Sequence, residues 1–284
     1  MPHRLTWLDV FTSRPLAGNG LAVVHDADDV ADETMLAFAR ETKLSETTFV
    51  QTATEPGADY RNRIWMTTRE LPFAGHPSLG TAVAVAHARG EREARYVQQT
   101  RAGLQPVEVE LTDGGRARAS MLQEPARFGA ELDADLVLAA LGLLEADGHP
   151  ELPPQLVSCG VEQLIVPVRD EPVLARVHPD ADLLAAVLEG SDAVAAYVAS
   201  PEPDAELVHA RGFFLERGAV AEDPATGSAA GPLCAYLHAR TGAARSEIEQ
   251  GVAMGRPSRL MCEAGEQVRV SGDAVLLIDG QVEL

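Results

Sequence analysis

The chain has 284 residues, of which 46% are apolar, and a formal net charge of −20 at pH 7. This length exceeds one ordinary core and predicts two domains of roughly 140 residues each. The acidic charge excludes a nucleic-acid partner, which needs a basic surface, and disfavours binding to an anionic membrane. It is otherwise typical of a soluble protein.

The N-terminal segment and the cysteines predict a cytoplasmic location. The segment MPHRLTWLDVFTSRP carries charges at Arg4 and Asp9 and lacks the apolar core of a signal peptide. No run approaches the roughly 18 apolar residues of a membrane span. The cysteines are scattered and form no CxxC pair, which fits a reducing compartment without disulfides. We expect Cys159, Cys234 and Cys262 to be buried as small apolar side chains rather than to act as nucleophiles.

Strand and helix patterns alternate along the first half of the chain. Apolar runs with β-branched residues predict strands at LTWLDVF, GLAVV, ETTFVQT and YRNRIWMTT. The segment from Asp32 to Thr42 spaces its apolar residues as a helix does, and Asp32 is its candidate N-cap. A loop, ELPFAGHPSLGTA, leads into an Ala-rich helix that ends at Gly90. A hairpin then turns at residues 113–115.

The second half repeats the order strand, helix, strand, strand, loop and helix. A helix is predicted from roughly Asp133 to Leu144, and another at PDADLLAAVLEG, with strands at LIVPV, AVAAYVAS and GFFLE. A second loop, EDPATGSAA, precedes the helix SAAGPLCAYLHARTG. The tail predicts two or three more strands, at RLMCEA, QVRVSG and AVLLIDG. A repeat of this size indicates a duplicated domain.

The two loops resemble each other in sequence. Aligned on their prolines, Pro77 and Pro224, they place His76 opposite Asp223, 147 residues further on. Because proline is favoured at the first helical position, we expect His76 and Asp223 at or next to a helix N-cap. Small residues that follow would let a carboxylate or phosphate approach the first-turn N–H groups. These small residues are Gly80, Thr81, Gly227 and Ser228.

Each of these features also has an interpretation without function. An aspartate before a proline is a good N-cap by itself, and a histidine can serve only capping or packing. Glu46, in KLSETTFV, lies where a loop enters an apolar strand, which is a common place for a solvated charge. Inside a cleft, however, a carboxyl group has a raised pKa and can exchange protons near neutral pH. Two matching loops facing each other across a cleft would hold a small carboxylate from both sides.

Other site motifs are missing. The segment GNGLAV lacks the third glycine of a dinucleotide-binding fingerprint, and neither GxxxxGK[ST] nor GxSxG occurs. The remaining histidines show no metal-ligand spacing. We therefore expect neither a cofactor nor a metal.

A series of motifs resembles the phenazine-biosynthesis (PhzF-like) isomerase family. In order along nearly the whole chain, they are DVFTSRPLAGNGLAVV, LSETTFV, ELPFAGHPSLGTA, EDPATGSAAGPLCAYL, QGVAMGRPSRL and VRVSG. The resemblance implies the α+β diaminopimelate-epimerase-like fold, with two pseudo-symmetric domains that each wrap a mixed, mostly antiparallel sheet around a central helix. It also implies an active site between the domains and a homodimer. We place the N-terminal domain at residues 1–117, completed by a strand at residues 274–284, and the C-terminal domain at residues 118–273.

The same resemblance implies the roles of individual residues. Glu46 would be the general acid and base, while His76 and Asp223 would hold the substrate and assist proton transfer. The implied substrate-binding residues are Gly75, Gly227, Ser228 and Asn19. In the best-known member of the family, a glutamate moves a proton between two ring carbons of trans-2,3-dihydro-3-hydroxyanthranilate without a cofactor.

The absence of cysteine from the two loops bears on the reaction. Related epimerases and racemases on this fold place one cysteine at each loop, so that one thiol works on each face of the α-carbon. Here neither loop has a cysteine, and Cys234 falls beyond the first turn of the following helix. A single base such as Glu46 suits a proton shift on one face. The leading hypothesis is thus a cofactor-independent isomerase of a small carboxylate; the alternatives are an epimerase, racemase or dehydratase on the same scaffold, and a carboxylate-binding protein without activity.

Overall fold

The computed structural model describes residues 2–112, 114–201 and 207–284. The strands are Pro2–Val10 (β1), Asn19–Val24 (β2), Glu46–Gln51 (β3), Tyr60–Trp65 (β4), Glu70–Leu71 (β5), Glu93–Thr100 (β6), Gly103–Leu111 (β7), Arg116–Leu122 (β8), Arg127–Glu131 (β9), Gln155–Ser158 (β10), Glu162–Pro167 (β11), Ala195–Pro201 (β12), Leu207–Glu216 (β13), Ala219–Asp223 (β14), Arg245–Gln250 (β15), Ser258–Glu263 (β16) and Arg269–Glu283 (β17). The α-helices are Asp32–Thr42 (α1), Gly75–Arg89 (α2), Ala134–Ala140 (α3), Glu171–Ala175 (α4), Ala181–Leu188 (α5) and Gly227–Thr241 (α6).

The chain divides into two compact units of mixed α/β structure in which strand predominates. The first unit comprises Met1–Leu122 and Ser271–Leu284, and the second comprises Gln123–Val270. None of the described helices is long and apolar enough to cross a membrane.

The first unit builds its sheet mostly from antiparallel pairs. β1 pairs with β2 and, along residues 274–283, with β17. The other antiparallel pairs are β3–β4, β4–β5, β6–β7 and β7–β8. The last of these confirms the predicted hairpin. Asp113 of its turn lies outside the described residues. β2 and β3 are parallel, with Leu21 opposite Glu46, and β4 and β6 are parallel. Because β2 and β3 run the same way, their first residues lie at the same end of the sheet.

Helix α2 forms the centre of the first unit. It is buried on all sides from Gly75 to Ala86 and contacts β1, β2, β3, β4, β6, β7 and β8. A helix that is apolar around its whole circumference can only be stable in such a buried position. The small size of its residues lets the strands approach closely.

Two residues of α2 that were expected to make room for a ligand instead pack the helix against the sheet. A Cβ atom added at Gly80 would lie 2.6 Å from Cδ2 of Leu21 and 2.8 Å from Cγ2 of Val10. The hydroxyl groups of Thr81 and Thr48 are hydrogen-bonded at 2.8 Å. Both positions therefore serve the contact between α2 and the strands β1, β2 and β3.

The second unit has the same pairing order as the first. Its antiparallel strand pairs are β10–β11, β12–β13, β13–β14 and β15–β16, and its parallel pairs are β11–β12 and β13–β15. Helix α6 is its central helix, largely buried over residues 227–237 and in contact with β10, β11, β15 and β16. The helices α3, α4 and α5 pack with β11 and β12 in a separate apolar core. The internal topology thus repeats along the chain.

The bounds of α1 agree with the sequence prediction, but its cap does not. The helix begins at Asp32 and ends at Thr42, as predicted, and its N-cap is Ala31. The carboxylate of Asp32 accepts a hydrogen bond of 3.0 Å from Nη1 of Arg63. The side chain of Asp32 is thus directed to Arg63, and the residue itself is the first of the helix rather than its cap.

Two other predicted elements have different bounds. Asp133 caps α3, but the helix ends at Ala140 rather than near Leu144, because Gly142 takes the left-handed conformation with φ of +72°. The tail contains β16 and one long strand, β17, where the sequence pattern suggested separate strands at QVRVSG and AVLLIDG. Pairing with β1 keeps the later part of β17 extended.

Candidate active site

The histidine loop, residues 70–79, carries His76 into the first turn of α2. The helix begins at Gly75 after an extended N-cap at Ala74, so His76 is the second helical residue and Pro77 the third. His76 therefore lies two residues after the N-cap, and the expectation that it lies at or next to the N-cap is wrong. The third position still suits proline, because its missing N–H lies among the first-turn groups that have no helical partner.

Three predicted site residues meet at this helix end. The Nδ1 atom of His76 lies 3.2 Å from Nδ2 of Asn19, the first residue of β2. On its other side, the Nε2 atom of His76 lies 3.4 Å from Oε2 of Glu46, the first residue of β3. The parallel pairing of β2 and β3 brings the two strand ends beside the start of α2. The side chains of His76 and Glu46 are only 5% and 13% exposed.

The contacts of His76 determine its protonation. An amide nitrogen can only donate, so Nδ1 accepts from Asn19 and the neutral ring carries its proton on Nε2. Burial lowers the pKa of His76 to about 3, so the ring is neutral near pH 7. Nε2 has no hydrogen-bond partner among the described residues, since 3.4 Å is too long for a good bond to Glu46. A neutral buried donor beside a carboxylate can bind a polar atom of a ligand.

The aspartate loop, residues 222–231, has a different local structure. Asp223 is the last residue of β14, whereas α6 begins at Gly227 with Thr226 as its N-cap. The expectation that Asp223 lies at or next to the N-cap is therefore wrong, and Pro224 precedes the helix instead of opening it. The physical reason is that Asp223 pairs with Gly212 of β13 and its backbone carbonyl accepts a hydrogen bond of 2.8 Å from Nε2 of Gln250, and these two contacts keep it in the strand.

The remaining predicted residues lie at the helix starts. Gly75 is the first residue of α2, and Gly227 and Ser228 are the first two of α6. The carbonyl of Gly227 accepts a hydrogen bond of 2.8 Å from Nε2 of Gln123 within the second unit. Asp223, Gly227 and Ser228 thus belong to one junction between β14 and α6.

An arginine–glutamate pair that the sequence analysis missed precedes each loop. Nη2 of Arg63 donates to Oε2 of Glu70 at 2.9 Å, and Nη2 of Arg211 donates to Oε2 of Glu222 at 2.8 Å. In the first unit, Glu70 pairs across the strands with Trp65, and the guanidinium of Arg63 stacks over the Trp65 ring. In the second unit, Glu222 pairs with Phe213, and the guanidinium of Arg211 stacks over the Phe213 ring. The repeated spacing Arg-x-aromatic is the signal that could have revealed both pairs.

These pairs correct the alignment of the two loops. The helices α2 and α6 each have 15 residues and match from end to end when Glu70 is aligned with Glu222. Equivalent positions are then 152 residues apart rather than 147, as the helix starts at residues 75 and 227 show. His76 corresponds to Ser228 and not to Asp223.

The cysteines are free and buried, as predicted. Burial raises the pKa of Cys159 to about 12 and that of Cys234 to about 11, so these thiols stay protonated and unreactive. All three cysteines belong to the second unit, and neither loop contains one. In the part of the chain that the structure describes, no three His, Cys, Asp or Glu side chains are grouped to hold a metal ion.

Comparison with known proteins gives consistent matches over the whole chain. Residues 8–280 match the family of phenazine biosynthesis-like proteins, PhzC-PhzF. The chain is 38% identical, over 99% of its length, to the full length of a trans-2,3-dihydro-3-hydroxyanthranilate isomerase from Pseudomonas aeruginosa. A solved structure of a predicted epimerase from Pseudomonas aeruginosa is 35% identical, with a TM-score of 0.87 and 99% of both chains covered. A PhzF-family structure from Bacillus anthracis is 26% identical, with a TM-score of 0.87 and full coverage of both chains. The resemblance inferred from the motifs is confirmed.

Proposed function

Because the chain belongs to the phenazine biosynthesis-like protein family, and several of its curated relatives are named isomerases, we propose that it shifts a proton within a small carboxylate without a cofactor. The substrate class follows from the relative that is named for trans-2,3-dihydro-3-hydroxyanthranilate, a cyclic amino acid with a hydroxyl group. We propose a cyclic or acyclic amino- or hydroxycarboxylate for this chain. A homodimer remains a prediction from the family.

The observation that carries this proposal is the contact of Glu46 with a neutral His76 that Asn19 holds in place. In the proposed reaction, the carboxylate of Glu46 takes a proton from one carbon. The electron pair of that C–H bond forms a new double bond to the adjacent carbon, and the electron pair of the existing double bond moves to the carbon at its far end. Protonated Glu46, whose acidic proton exchanges with solvent, then delivers a proton to that far carbon on the same face. Nothing is oxidised or reduced, because the atoms of the substrate are only rearranged.

His76 supplies the complementary group. Its Nε2–H can donate to a substrate oxygen or nitrogen while the ring stays neutral, so that it does not compete with Glu46 for the proton. The N–H groups at the start of α2, beginning with Gly75, suit a substrate carboxylate. We propose that Asp223, Gly227 and Ser228 also bind the substrate, the last two through the first turn of α6.

The second candidate is an epimerase, because one similar solved structure is described as a predicted epimerase. Such a reaction normally needs one acid or base on each face of the carbon. Equivalent positions of the two loops here hold His76 and Ser228, which differ in chemistry, and the cysteines are buried away from both loops in the sequence. These differences favour the isomerase.

The test is a reaction in D₂O with trans-2,3-dihydro-3-hydroxyanthranilate and a panel of small amino- and hydroxycarboxylates. We expect the wild type to convert at least one of them, without added cofactor, to an isomer carrying solvent deuterium at the carbon that gains the proton. Glu46→Gln should lower the rate by about 10²–10⁴-fold. Glu41→Gln, which changes an exposed glutamate of α1, is the matched control and should leave the rate unchanged.

Each other outcome has a definite meaning. If Glu46→Gln reacts as fast as the wild type, the assignment of the base is wrong. Inversion at a single carbon without a change in bonding would establish the epimerase. Binding of a carboxylate with neither conversion nor deuterium uptake in any protein would establish a carboxylate-binding protein.

A further inference from the structure

The motif QGVAMGRPSRL begins with Gln250, which lies beside Asp223 and to which the proposed function assigns no role. Gln250, the last residue of β15, is 1% exposed. Its Oε1 atom accepts from the backbone N–H of Thr226 at 3.0 Å and from the hydroxyl of Tyr197 at 2.8 Å. Its Nε2 atom donates to the backbone carbonyl of Asp223 at 2.8 Å and to Oγ1 of Thr226 at 2.9 Å.

These partners fix the orientation of the Gln250 amide group. A backbone N–H can only donate and a backbone carbonyl can only accept, so exchanging Oε1 and Nε2 would break both bonds at once. Tyr197 is fully buried, and burial raises the pKa of its phenol well above the ordinary value, so the hydroxyl remains a donor. All four hydrogen bonds of the amide group are therefore used.

The fixed amide in turn fixes the hydroxyl group of Thr226. Its oxygen accepts one Nε2 proton of Gln250, which leaves its own proton for another acceptor. That acceptor is Oδ2 of Asp223, at 2.8 Å. A hydroxyl that donates to a carboxylate forms a charge-assisted hydrogen bond, which stabilises the ionised form and restricts its rotation.

The surrounding backbone packs closely against this network. A Cβ atom added at Gly212 would lie 2.7 Å from Oγ1 of Thr226 and 3.2 Å from Nε2 of Gln250. A Cβ atom added at Gly251 would lie 2.5 Å from the carbonyl oxygen of Pro224. Thr226 itself is 4% exposed. The network is thus enclosed by closely packed backbone.

We propose that Thr226 and Gln250 are positioning residues that set the orientation and the ionisation of the Asp223 carboxylate. Gln250 holds the backbone of Asp223 and directs the Thr226 hydroxyl, and that hydroxyl holds Oδ2. This inference rests on the proposed function, in which Asp223 binds the substrate. Neither residue needs to touch the substrate.

The first readout does not depend on activity. In protein labelled with ¹³C at the aspartate carboxyl groups, the Asp223 signal is identified by its loss in Asp223→Asn and is followed as a function of pH. We expect Thr226→Val to raise the pKa of Asp223, because a donor to the ionised form is lost. Thr226→Ser, which keeps the hydroxyl, should titrate like the wild type. Thr241→Val, which removes a hydroxyl near the other end of α6, is the matched control and should cause no change.

The second readout is the kinetics of proton exchange on the substrate that the wild type converts. Thr226→Val should raise KM by about tenfold and lower kcat by less, because the positioned carboxylate of Asp223 contributes more to substrate binding than to proton transfer. Thr226→Ser, which keeps the hydroxyl, should restore both constants. Should Thr226→Val fail to fold, Thr226→Ala replaces it, since this smaller side chain also removes the hydroxyl that donates to Asp223.

The two readouts separate the two claims. An Asp223 titration that is the same in wild type and Thr226→Val overturns the positioning role. A shifted titration in a protein that converts no carboxylate supports the positioning role and contradicts the proposed function. A shifted titration with unchanged kinetics shows that Asp223 is held as described but does not serve the reaction, and this overturns the functional part of the inference.

Discussion

The histidine loop and the aspartate loop share a frame and differ in chemistry. Each begins with a glutamate paired to a buried or half-buried arginine, and each reaches its central helix five residues after that glutamate. In the histidine loop the chemical group, His76, lies inside the helix and contacts the ends of two strands. In the aspartate loop the group, Asp223, directly follows the paired glutamate and is held by the helix N-cap.

The comparison shows which features the two units share and which they do not. The strand pairings, the central helix and the arginine–glutamate pair are the same in both units because they determine folding. In the corrected alignment, His76 of the histidine loop corresponds to Ser228 of the aspartate loop, and Leu71 corresponds to Asp223. Two loops so unlike cannot act as matched acids and bases, which is why we place the base in the first unit alone.

The largest effect on stability should come from breaking the arginine–glutamate pairs. Glu70→Ala should lower the free energy of unfolding by about 3–5 kcal/mol, because it strips a buried guanidinium of its main partner. Glu222→Ala should cost less, since Arg211 and Glu222 are more exposed, at 15% and 19% against 9% and 7% for Arg63 and Glu70. Urea unfolding of both variants measures the difference. A larger loss of unfolding free energy in Glu222→Ala than in Glu70→Ala would contradict the conclusion that burial of the pair sets the size of the loss.

The next effect is a loss of stability in acid, to which two buried histidines of the first unit contribute. Burial lowers the pKa of His25 to about 4 and that of His76 to about 3. The unfolded chain takes up these protons near pH 6.5 and the folded chain does not, so stability falls as the pH drops from about 6.5 towards 4. Each histidine contributes up to about 1.4 kcal/mol per pH unit.

Urea unfolding at pH 7 and pH 5 checks this expectation. His25→Gln should show a clearly smaller loss between the two pH values than the wild type. His238→Gln, which changes an exposed histidine of the second unit, is the control and should behave like the wild type. Equal losses in wild type and His25→Gln would mean that His25 is protonated in the folded protein.

A smaller effect concerns the packing of α2. Gly80→Ala should cost about 1–3 kcal/mol, because the new Cβ atom would overlap the side chains of Leu21 and Val10. Gly280→Ala, where the nearest atom is 3.8 Å away, is the matched control and should be close to neutral. Thermal unfolding of the two variants makes the comparison. If Gly80→Ala leaves the thermal stability unchanged, the absence of a side chain at this position does not serve the packing of α2 against the sheet.

The smallest effect is a change of tautomer. Asn19→Asp replaces the donor to Nδ1 of His76 by an acceptor, so the ring proton should move from Nε2 to Nδ1. The ¹⁵N chemical shifts of the two ring nitrogens report this exchange directly. Asn62→Asp, which changes a buried asparagine of β4, is a control that should leave His76 unaffected. Unaltered shifts in Asn19→Asp would show that Asn19 does not set the tautomer.

Much of the local structure was predictable from the sequence, and the long-range contacts were not. The bounds of α1 follow from its apolar spacing, and the meeting of Glu46 with His76 was expected from the family motifs. The strands β6, β9, β14 and β15 have no clear apolar run, because charged residues occupy much of each, and the patterns did not predict them.

The errors at the loops have the same origin. The two helices begin at Gly75 and Gly227, so the prolines do not mark equivalent positions in the two loops. In the aspartate loop, pairing with β13 and a hydrogen bond from Gln250, 27 residues after Asp223, keep Asp223 in a strand, and no local pattern specifies these contacts. Aligning the loops by proline therefore gave a register that the arginine–glutamate pairs correct.

The most direct test of this account compares Glu46→Gln with Asp223→Asn in a single turnover in D₂O. With saturating substrate, we predict that deuterium uptake is at least about 100-fold slower in Glu46→Gln, because the base is lost. Asp223→Asn should stay within about tenfold of the wild type under the same conditions, since its loss weakens substrate binding more than proton transfer. A loss in Asp223→Asn as large as that in Glu46→Gln, or faster exchange by Glu46→Gln than by Asp223→Asn, would contradict a single base in the first unit.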